Sequence, residues 1–374
     1  MAASPLDYRR LARRRLPRFL FDYIDGGSYS EVSLRRNVHD LEQIALRQKV
    51  LRDVSAVALS TELFGQKLAM PVGLGPIGFA GICARRGEVQ AARAAEGAGI
   101  PFCLSTMAVC SLEEVAAKVT RPFWFQLHVL RDRAFMRDLM ARARASGCTA
   151  LICTVDVPVG SARYRDIRSG LKSATGRLRQ AVRRPVWAYD VGLRGRPHNL
   201  GNVASALTRT ARLNDLFAWI GANLEPSARW EDLEFVRAEW TGPLIIKGVL
   251  DVEDARQAVK LGADGLVVSN HGGRQLDGVP STTEALPPIA DAVGTDTTLL
   301  VDGGVRSGLD VIRMLALGAK GVLLGRAWIY ALAADGQAGV AHLLKLVETE
   351  MRVGMALAGV TSIAAINRDM LANR

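Results

Sequence analysis

Eight short apolar segments alternate with amphipathic ones along most of the chain. The apolar segments begin at Met70, Pro101, Pro122, Ala150, Pro243, Gly265, Thr298 and Gly321. The segments between them have helical periodicity, and several end in glycine, as helices commonly do. Apolar strands separated by helices are typical of a parallel sheet covered on both faces. Eight strands, each followed by a helix, predict an α/β fold of the (β/α)8 TIM-barrel class.

An open, doubly wound parallel sheet is the alternative fold. Such a sheet usually has a G-x-G-x-x-G turn between its first strand and first helix. The turn here reads GLGPIGFAG from Gly73, and because it contains a proline we interpret the fingerprint as absent. The barrel is therefore the expected fold.

Two segments lie outside the predicted barrel. Residues 1–69 form an N-terminal extension that is predicted to be mainly helical. Residues 159–229 form an insertion after the fourth strand, which is far longer than an ordinary βα loop. Within 171–214 the insertion has nine lysines and arginines and one acid, and it is accompanied by Trp187 and Trp219. We expect extension, insertion and barrel to form one domain over residues 1–374.

The composition excludes several classes of protein. Of the residues, 49% are hydrophobic and 23% charged, which argues against disorder and collagen-like sequence. The longest uncharged stretch, 68–84, contains two prolines and four glycines, so a membrane-spanning helix is not expected. Five cysteines without a C-x-x-C spacing predict neither a disulfide framework nor a metal site. The net charge of +11 fits an anionic membrane, a nucleic acid or an arginine-rich genome, and composition alone leaves these open.

In a barrel, functional side chains follow the C-terminal ends of the strands. That rule selects Gln126, His128, Thr154, Asp156, Lys247, Ser269, Asn270, His271, Arg274, Asp302, Gly303, Gly304, Arg306, Gly325 and Arg326. The glycines and arginines after strands seven and eight predict a phosphate site, because glycine lets backbone N–H groups approach an anion. His271 is a candidate base that Asp156 could orient. The surrounding cations indicate an anionic substrate and an anionic cofactor.

The string SNHGGRQLDG from Ser269 resembles the active-site signature of the FMN-dependent α-hydroxy-acid dehydrogenases and oxidases. The resemblance extends over nearly the whole chain and is closest to the bacterial respiratory members that oxidise L-lactate. It is carried, in the family's order, by FDYIDGG from Phe21, ARRGEVQAA from Ala84, FQLHVLRDR from Phe125, TVDVP from Thr154, ARYRD from Ala162, IKG from Ile246, DGGVRSGLD from Asp302 and LLGRA from Leu323.

The resemblance implies a role for each matching residue. His271 resembles the base that takes the substrate proton, with Asp156 as its partner and Lys247 beside the flavin. The implied substrate ligands are Tyr23, His128, Arg163 and Arg274. The implied FMN ligands are Pro76, Ile77, Gly78, Ser105, Gln126, Thr154, Lys247, Ser269, Asp302, Gly303, Gly304, Arg306, Gly325 and Arg326.

One position departs from the family pattern. Members usually read FQLYV after strand three, whereas this chain reads FQLHV, so that His128 replaces a tyrosine. An imidazole can donate a hydrogen bond but is shorter and titratable, so we hypothesise an altered substrate preference or pH dependence. Met107 lies where some members have tryptophan, which leaves the substrate's side chain open.

The resemblance implies oxidation of an L-2-hydroxy acid, most simply L-lactate to pyruvate, with hydride transfer to the flavin. Prior removal of the Cα proton would use the same residues. A quinone is the expected electron acceptor, and oxygen is the alternative. The basic insertion is interpreted as a lid or as a patch that docks on anionic lipid with tryptophans at the interface. We expect a cytoplasmic homotetramer, peripheral on the inner face of the membrane.

Two other classes of protein are weighed against this one. A different phosphate-binding barrel would share the last two loops but not the loop of His271 and Arg274. A nucleic-acid binder would explain the charge, but its basic residues would be expected to alternate with stacking aromatics, and they do not. No nucleic-acid partner is therefore expected.

Overall fold

Eight parallel strands close into a barrel in the computed structural model, which describes residues 2–206 and 213–372. A hairpin precedes them, with strands β1 (Thr61–Leu63) and β2 (Gln66–Leu68). The barrel strands are β3 (Val72–Leu74), β4 (Cys103–Ser105), β5 (Trp124–His128), β6 (Ala150–Thr154), β7 (Leu244–Val249), β8 (Gly265–Val268), β9 (Thr298–Val301) and β10 (Gly321–Leu324). A parallel bridge between Leu74 and Phe102 joins the first and last strands of the sheet. The predicted TIM-barrel class is confirmed.

Helices follow the strands in the predicted alternation. After β3 to β5 come α4 (Gly87–Gly97), α5 (Leu112–Ala116) and α6 (Arg133–Ala145). After β7 to β10 come α12 (Val252–Lys260), α13 (Thr282–Val293), α14 (Gly308–Ala316) and α15 (Arg326–Leu357), the last of which is broken at Asp335 and Gly336. The strands are buried on both faces, which explains their apolar sequences.

The N-terminal extension contains the helices α1 (Pro5–Arg15), α2 (Arg18–Asp25) and α3 (Val32–Glu42). The β1–β2 hairpin was not predicted by the helical interpretation of this region. Phe64 at its tip packs on Trp124, with ring centroids 5.8 Å apart, and lies against Gly265. The hairpin therefore fills the end of the barrel where the strands begin.

A buried carboxylate attaches the extension to the rest of the chain. Asp25, at the end of α2, accepts hydrogen bonds from Arg9 at 2.6 and 2.9 Å, from Tyr330 at 2.6 Å and from Arg165 at 2.6 Å. These partners belong to the extension, to α15 and to the long segment after β6. The arginines and Tyr330 outweigh the effect of burial and hold the pKa of Asp25 well below its usual range.

The long segment between β6 and β7 is largely helical where it is described. It contains α7 (Tyr164–Arg168), α8 (Ala174–Val182), α9 (Pro185–Trp187), a π-helical turn over Ala188–Leu193, α10 (Leu213–Asn223) and α11 (Glu234–Glu239). Two of the nine basic residues within 171–214, Arg209 and Arg212, lie outside the described residues. Within the described ranges, no helix combines the length and the apolar character needed to cross a membrane.

The expectation that tryptophans face a membrane from this segment was wrong for Trp187. Its side chain is 9% exposed, donates to the carbonyl of Ile82 at 2.9 Å and packs edge-on against Phe19. Trp219 is half-buried and packs on Phe135. Because a buried indole N–H needs an acceptor, this carbonyl gives Trp187 a position inside the fold.

Candidate active site

A cavity of about 810 Å³ opens at the C-terminal ends of the barrel strands. All but two of the residues to which the resemblance assigns a role line it, although they come from distant parts of the sequence. The lining residues are Tyr23, Pro76, Ile77, Gly78, Ser105, Gln126, His128, Thr154, Arg163, Lys247, His271, Arg274, Asp302, Gly303, Gly304, Arg306, Gly325 and Arg326. Asp156 and Ser269 lie one layer behind, bonded to His271 and Lys247 respectively.

The candidate base is His271, and its partner is Asp156. Nδ1 of the imidazole lies 2.9 Å from Oδ1 of the carboxylate. An ionised carboxylate only accepts hydrogen bonds, so Nδ1 carries the proton and Nε2 keeps its lone pair. Gly248, with a φ of +108°, lets Asp156 approach, because a Cβ there would lie 2.5 Å from the Asp156 Cβ. The backbone after Lys247 therefore has to be glycine for this pair to form.

Burial determines the charge state of this pair. Burial lowers the pKa of His271, the Asp156 carboxylate opposes that shift, and the Lys247 and Arg274 cations add to it. Burial alone would favour a neutral Asp156, but His271 and Lys247 hold the pKa of Asp156 below its usual range. At neutral pH the pair is therefore a neutral imidazole beside a carboxylate, which is the state that can accept a proton.

Lys247 is a buried cation next to the base. Its Nζ lies 3.1 Å from Asp302 and donates to Ser269 Oγ at 2.9 Å. Burial would lower the pKa of Lys247, but Asp302 and Asp156 outweigh it and raise that pKa, so the amine stays charged. The ammonium is 4% exposed and lies at the cavity wall. It can therefore stabilise negative charge that develops on a bound group.

Two further cations flank Tyr23. The guanidinium carbons of Arg163 and Arg274 lie 6.0 and 5.1 Å from the centre of the Tyr23 ring. Among the described residues, neither of these two arginines forms a salt bridge with a carboxylate. Burial and the nearby Arg274 lower the pKa of Arg163 to about 10. Two neighbouring cations of this kind form a site for an anion, and guanidinium geometry suits a carboxylate.

The other end of the cavity has the features of a phosphate site. Gly303 and Gly304 have φ of +94° and +82°, and open space lies where Gly325 would carry a Cβ. Gly325 precedes α15, which has no side-chain cap, so the first N–H groups of that helix face an open position. Arg306 lines the same region. Backbone donors, a helix N-terminus and an arginine are together what an anionic phosphate requires.

Arg326 is used differently from the expectation. Its three guanidinium nitrogens donate to the carbonyl oxygens of Ile24 at 3.2 Å, Gly26 at 2.8 Å and Gly272 at 2.8 Å. Its side chain thus joins the end of α2 to the loop of His271. Burial, together with Arg274 and Arg306, lowers its pKa to about 9. A phosphate would meet the backbone of Arg326 rather than its occupied guanidinium.

The middle of the cavity contains a hydrogen-bond donor to which no described residue of the protein bonds. Ser105 Oγ donates to Gln126 Oε1 at 3.0 Å, while Gln126 Nε2 is buried without a hydrogen-bond partner. Buried donors of this kind are normally paired. A flat, polar ring system with a phosphate tail would pair Gln126, meet Lys247 and end at the glycine loops. The residues present therefore fit FMN.

Some site residues were missed by the sequence analysis. Phe217 and Ile220 of α10 and Leu224 directly after it line the cavity, and Phe217 packs on Phe79 with ring centroids 5.3 Å apart. Together with Met107 they form an apolar wall. Their spacing of three and four residues was a usable signal of one helix face. The prediction for this segment rested on its charge and did not include that face.

His128 extends from the end of β5 into the cavity. Its Nδ1 is buried and has no partner, and the ring lies near His271 and Lys247. Burial, with a smaller contribution from the neighbouring His271, lowers the pKa of His128 to about 3. The imidazole is thus neutral near pH 7. An altered substrate preference or pH dependence remains the hypothesis for this position.

Sequence comparison identifies a family and close relatives. The profile of a family described as FMN-dependent dehydrogenase matches residues 12–373. A protein named L-lactate dehydrogenase from Caulobacter vibrioides (strain NA1000 / CB15N) is 61% identical over 377 aligned residues, which cover 100% of this chain and 98% of the relative. A protein of the same name from Chromohalobacter salexigens is 62% identical, with 99% of this chain and 95% of the relative covered.

Structural comparison identifies similar folds over the full length. A crystal structure described as the monotopic membrane protein (S)-mandelate dehydrogenase has a TM-score of 0.94 and 36% identity, with both chains fully covered. A structure of mandelate oxidase with (S)-2-phenylpropionate has a TM-score of 0.85 and 40% identity, with 100% of this chain and 99% of the other covered. At these sequence identities and TM-scores, the similarity extends beyond the barrel fold alone.

We expect the imidazole of His128 to remain neutral between about pH 5 and 8, the range in which an ordinary histidine titrates, because its pKa lies near 3. Histidine-selective ¹⁵N NMR across that range measures this directly, and loss of the signal in His128→Tyr identifies it. A His128 signal that titrates near the ordinary histidine pKa would contradict the assignment.

Proposed function

The chain belongs to the FMN-dependent dehydrogenase family and oxidises an L-2-hydroxy acid, and we propose that its substrate is L-lactate, its product pyruvate and its base His271. The observation that carries the proposal is the neutral His271, oriented by Asp156, in a cavity that also presents a buried lysine and two arginines that form no salt bridge among the described residues. The pattern suits a small anion that gives up a proton beside an electron-accepting cofactor.

His271 takes the hydroxyl proton of the substrate at Nε2. Its Nδ1–H already points to Asp156, so the lone pair of Nε2 is directed away from that carboxylate. The imidazolium that forms is stabilised by the buried Asp156 charge. Lys247 and Arg274, which lower the pKa of the free histidine, also make the protonated form short-lived.

Arg163 and Arg274 bind the substrate carboxylate. They provide two guanidiniums beside Tyr23, whose hydroxyl is available as a further hydrogen-bond donor. Phe79, together with Phe217 and Ile220 of the apolar wall, excludes water from the same space. Fixing the carboxylate and excluding water both serve to orient the Cα–H and O–H bonds for reaction.

FMN, when bound, would supply the two-electron acceptor for this oxidation. Gln126, Ser105 and Lys247 would hold its ring, and the glycine loops with Arg306 its phosphate. Lys247 keeps a full positive charge where the extra electrons need stabilisation.

L-lactate is favoured over other hydroxy acids by the identity of the relatives. The two relatives at 61% and 62% identity are named for L-lactate, whereas the two structures named for mandelate are 36% and 40% identical. Mandelate and glycolate are the alternative substrates. The apolar wall with Met107 is the part of the cavity that would distinguish their side chains.

A stripe of exposed apolar side chains, here called the membrane-facing stripe, supports the proposal of a peripheral location on the inner, cytoplasmic face of the membrane. Large apolar side chains that are 57–71% exposed recur every three or four residues at Leu178, Val182, Val186, Tyr189 and Leu193. Exposed arginines flank this stripe at positions 179, 183 and 194. Apolar side chains edged by arginines are what an anionic lipid surface binds. A related structure is itself described as a monotopic membrane protein.

A quinone dissolved in that membrane is the electron acceptor that best fits this location. Oxygen is the alternative acceptor, since one structural relative is named an oxidase. The insertion that carries the stripe also lines the cavity, through Lys172 and Ile220 among others. A lipid-soluble acceptor would therefore approach the cavity from the same side as the membrane.

The Asp156→Asn variant tests the base. We expect kcat for L-lactate to fall on the order of 10²–10⁴-fold, because the imidazolium loses its partner. Asp156 raises the pKa of His271, so its removal moves the acid limb of the kcat/KM profile to lower pH. Steady-state rates across pH measure both effects, on protein whose visible flavin absorption shows that FMN is retained.

Asp232→Asn is the matched control for this variant, since Asp232 pairs with Arg133 and does not line the cavity. It should keep the wild-type rate and pH profile. Wild-type turnover by Asp156→Asn would contradict the role given to the pair.

The membrane-facing stripe is tested by flotation with phosphatidylglycerol vesicles at low ionic strength. We expect the wild type to float and Leu178→Ser/Val182→Ser to stay largely in the soluble fraction, because buried apolar area and basic charge act together. Val353→Ser/Leu357→Ser, an exposed apolar pair with the same four-residue spacing on α15, is the control and should float. A wild type that stays soluble at low salt, or a stripe variant that floats like the control, would contradict the proposal.

A further inference from the structure

We propose that Asn37 of α3 is a positioning residue for His271, acting through the buried side chain of Asn270; this inference rests on the proposed role of His271 as the base. Asn37 lies in the N-terminal extension, 233 residues before its partner. It does not line the cavity and touches neither substrate nor cofactor space.

The two asparagines form a reciprocal pair. Nδ2 of Asn37 donates to Oδ1 of Asn270 at 2.7 Å, and Nδ2 of Asn270 donates to Oδ1 of Asn37 at 2.8 Å. The side chains are 1% and 4% exposed. In such a buried site water cannot replace either bond, so the loss of one partner leaves the other amide unsatisfied.

Backbone groups fix which way each amide points. Oδ1 of Asn37 also accepts from the N–H of Thr282 at 3.2 Å. Oδ1 of Asn270 also accepts from the N–H of Gly273 at 3.0 Å, and its Nδ2 donates to the carbonyl of Pro280 at 3.2 Å. A flipped amide would point N–H groups at N–H groups. The pair therefore has one arrangement.

The arrangement of the two amides stabilises a rarely adopted backbone conformation at His271. His271 has a φ of +56°, in the left-handed region that a non-glycine residue rarely adopts, and Gly272 and Gly273 follow at +64° and +71°. Such conformations persist where the surroundings determine them. Asn270 is the residue before His271, and its amide spans the turn by binding Gly273. Asn37 holds that amide in place from a separate helix.

Asparagine is the side chain that suits position 37. The site needs one group that donates to Asn270 Oδ1 and one that accepts from Asn270 and Thr282. Aspartate supplies only acceptors, and leucine supplies neither. The backbone carbonyl of Asn37 also packs against Gly304 of the phosphate loop, so this residue lies between the base loop and the phosphate loop.

The test is a double-mutant cycle in the holoenzyme with Asn37→Ala, Asn270→Ala and the double variant. Each single change should lower kcat for L-lactate on the order of 10²-fold, because small displacements of a reacting group have effects of that size. KM should change much less, since Arg163 and Arg274 are untouched. The double variant should be no slower than the slower single one, because the residues act as a unit.

A second readout follows the geometry without turnover. The Nδ1 proton of His271, bonded to Asp156, should give a downfield resonance in the ¹⁵N-histidine-labelled holoenzyme, assigned by its loss in His271→Gln. It should shift or disappear in Asn37→Ala. Ser33→Ala is the control: Ser33 is equally buried, one turn earlier on α3, and binds Gly278 and Val279 of the same long loop. That variant should keep both the resonance and kcat.

The inference is wrong if the effects of the two single variants on kcat multiply in the double variant. It is also wrong if the His271 resonance is unchanged in Asn37→Ala. If Asn37→Ala does not fold, Asn37→Leu keeps most of the volume and removes both hydrogen bonds to Asn270, and wild-type kcat in that variant would equally overturn the inference. If the wild type fails to oxidise L-lactate, the proposed function is wrong. The resonance comparison would still test the positioning role of Asn37.

Discussion

The buried charge of Lys247 is the constraint around which this site is arranged. Removing an ammonium from water costs several kcal/mol unless neighbouring groups compensate. Asp302 at the end of β9 and Ser269 at the end of β8 contact its Nζ, and Asp156 at the end of β6 adds a further negative charge. Four strand ends must therefore stand in register around one atom, and the closed barrel provides that register. Together with burial, the same cation lowers the pKa of His271, so in the proposed mechanism the group that would stabilise the cofactor's electrons also keeps the base neutral.

The N-terminal extension completes the site, and arginines hold it there. Arg326 and Arg274 donate to carbonyls at the end of α2, next to Tyr23, and Arg326 also binds the loop of His271. Asp25 ties the same helix to α15 and to the segment after β6. The substrate arginines, the tyrosine and the base loop are thus parts of one hydrogen-bonded unit. A cavity assembled in this way is preorganised, which is what electrostatic catalysis needs.

Much of this could be predicted because barrel strands have a strong local signal. The eight apolar segments gave the strands, and the rule of strand C-termini brought His271, Lys247 and Asp302 to one cavity. The resemblance to a family was needed for Tyr23 and Arg163, which lie outside that rule. Features that depend on contacts between distant segments were missed: the β1–β2 hairpin, the pairing of Asn37 with Asn270, and the carbonyl contacts of Arg326. Composition also misplaced Trp187, since a tryptophan in a basic segment is equally suited to a buried position with an acceptor.

The most direct test of the account is the visible spectrum of the purified protein without oxygen, before and after addition of L-lactate, with (S)-mandelate and glycolate in parallel. We expect a yellow flavin spectrum that bleaches fastest with L-lactate and returns on addition of a soluble quinone. Return with oxygen alone would identify an oxidase. A flavin spectrum that L-lactate leaves unchanged would contradict the proposed substrate, and a colourless protein that takes up no FMN would contradict the account of the site as a whole.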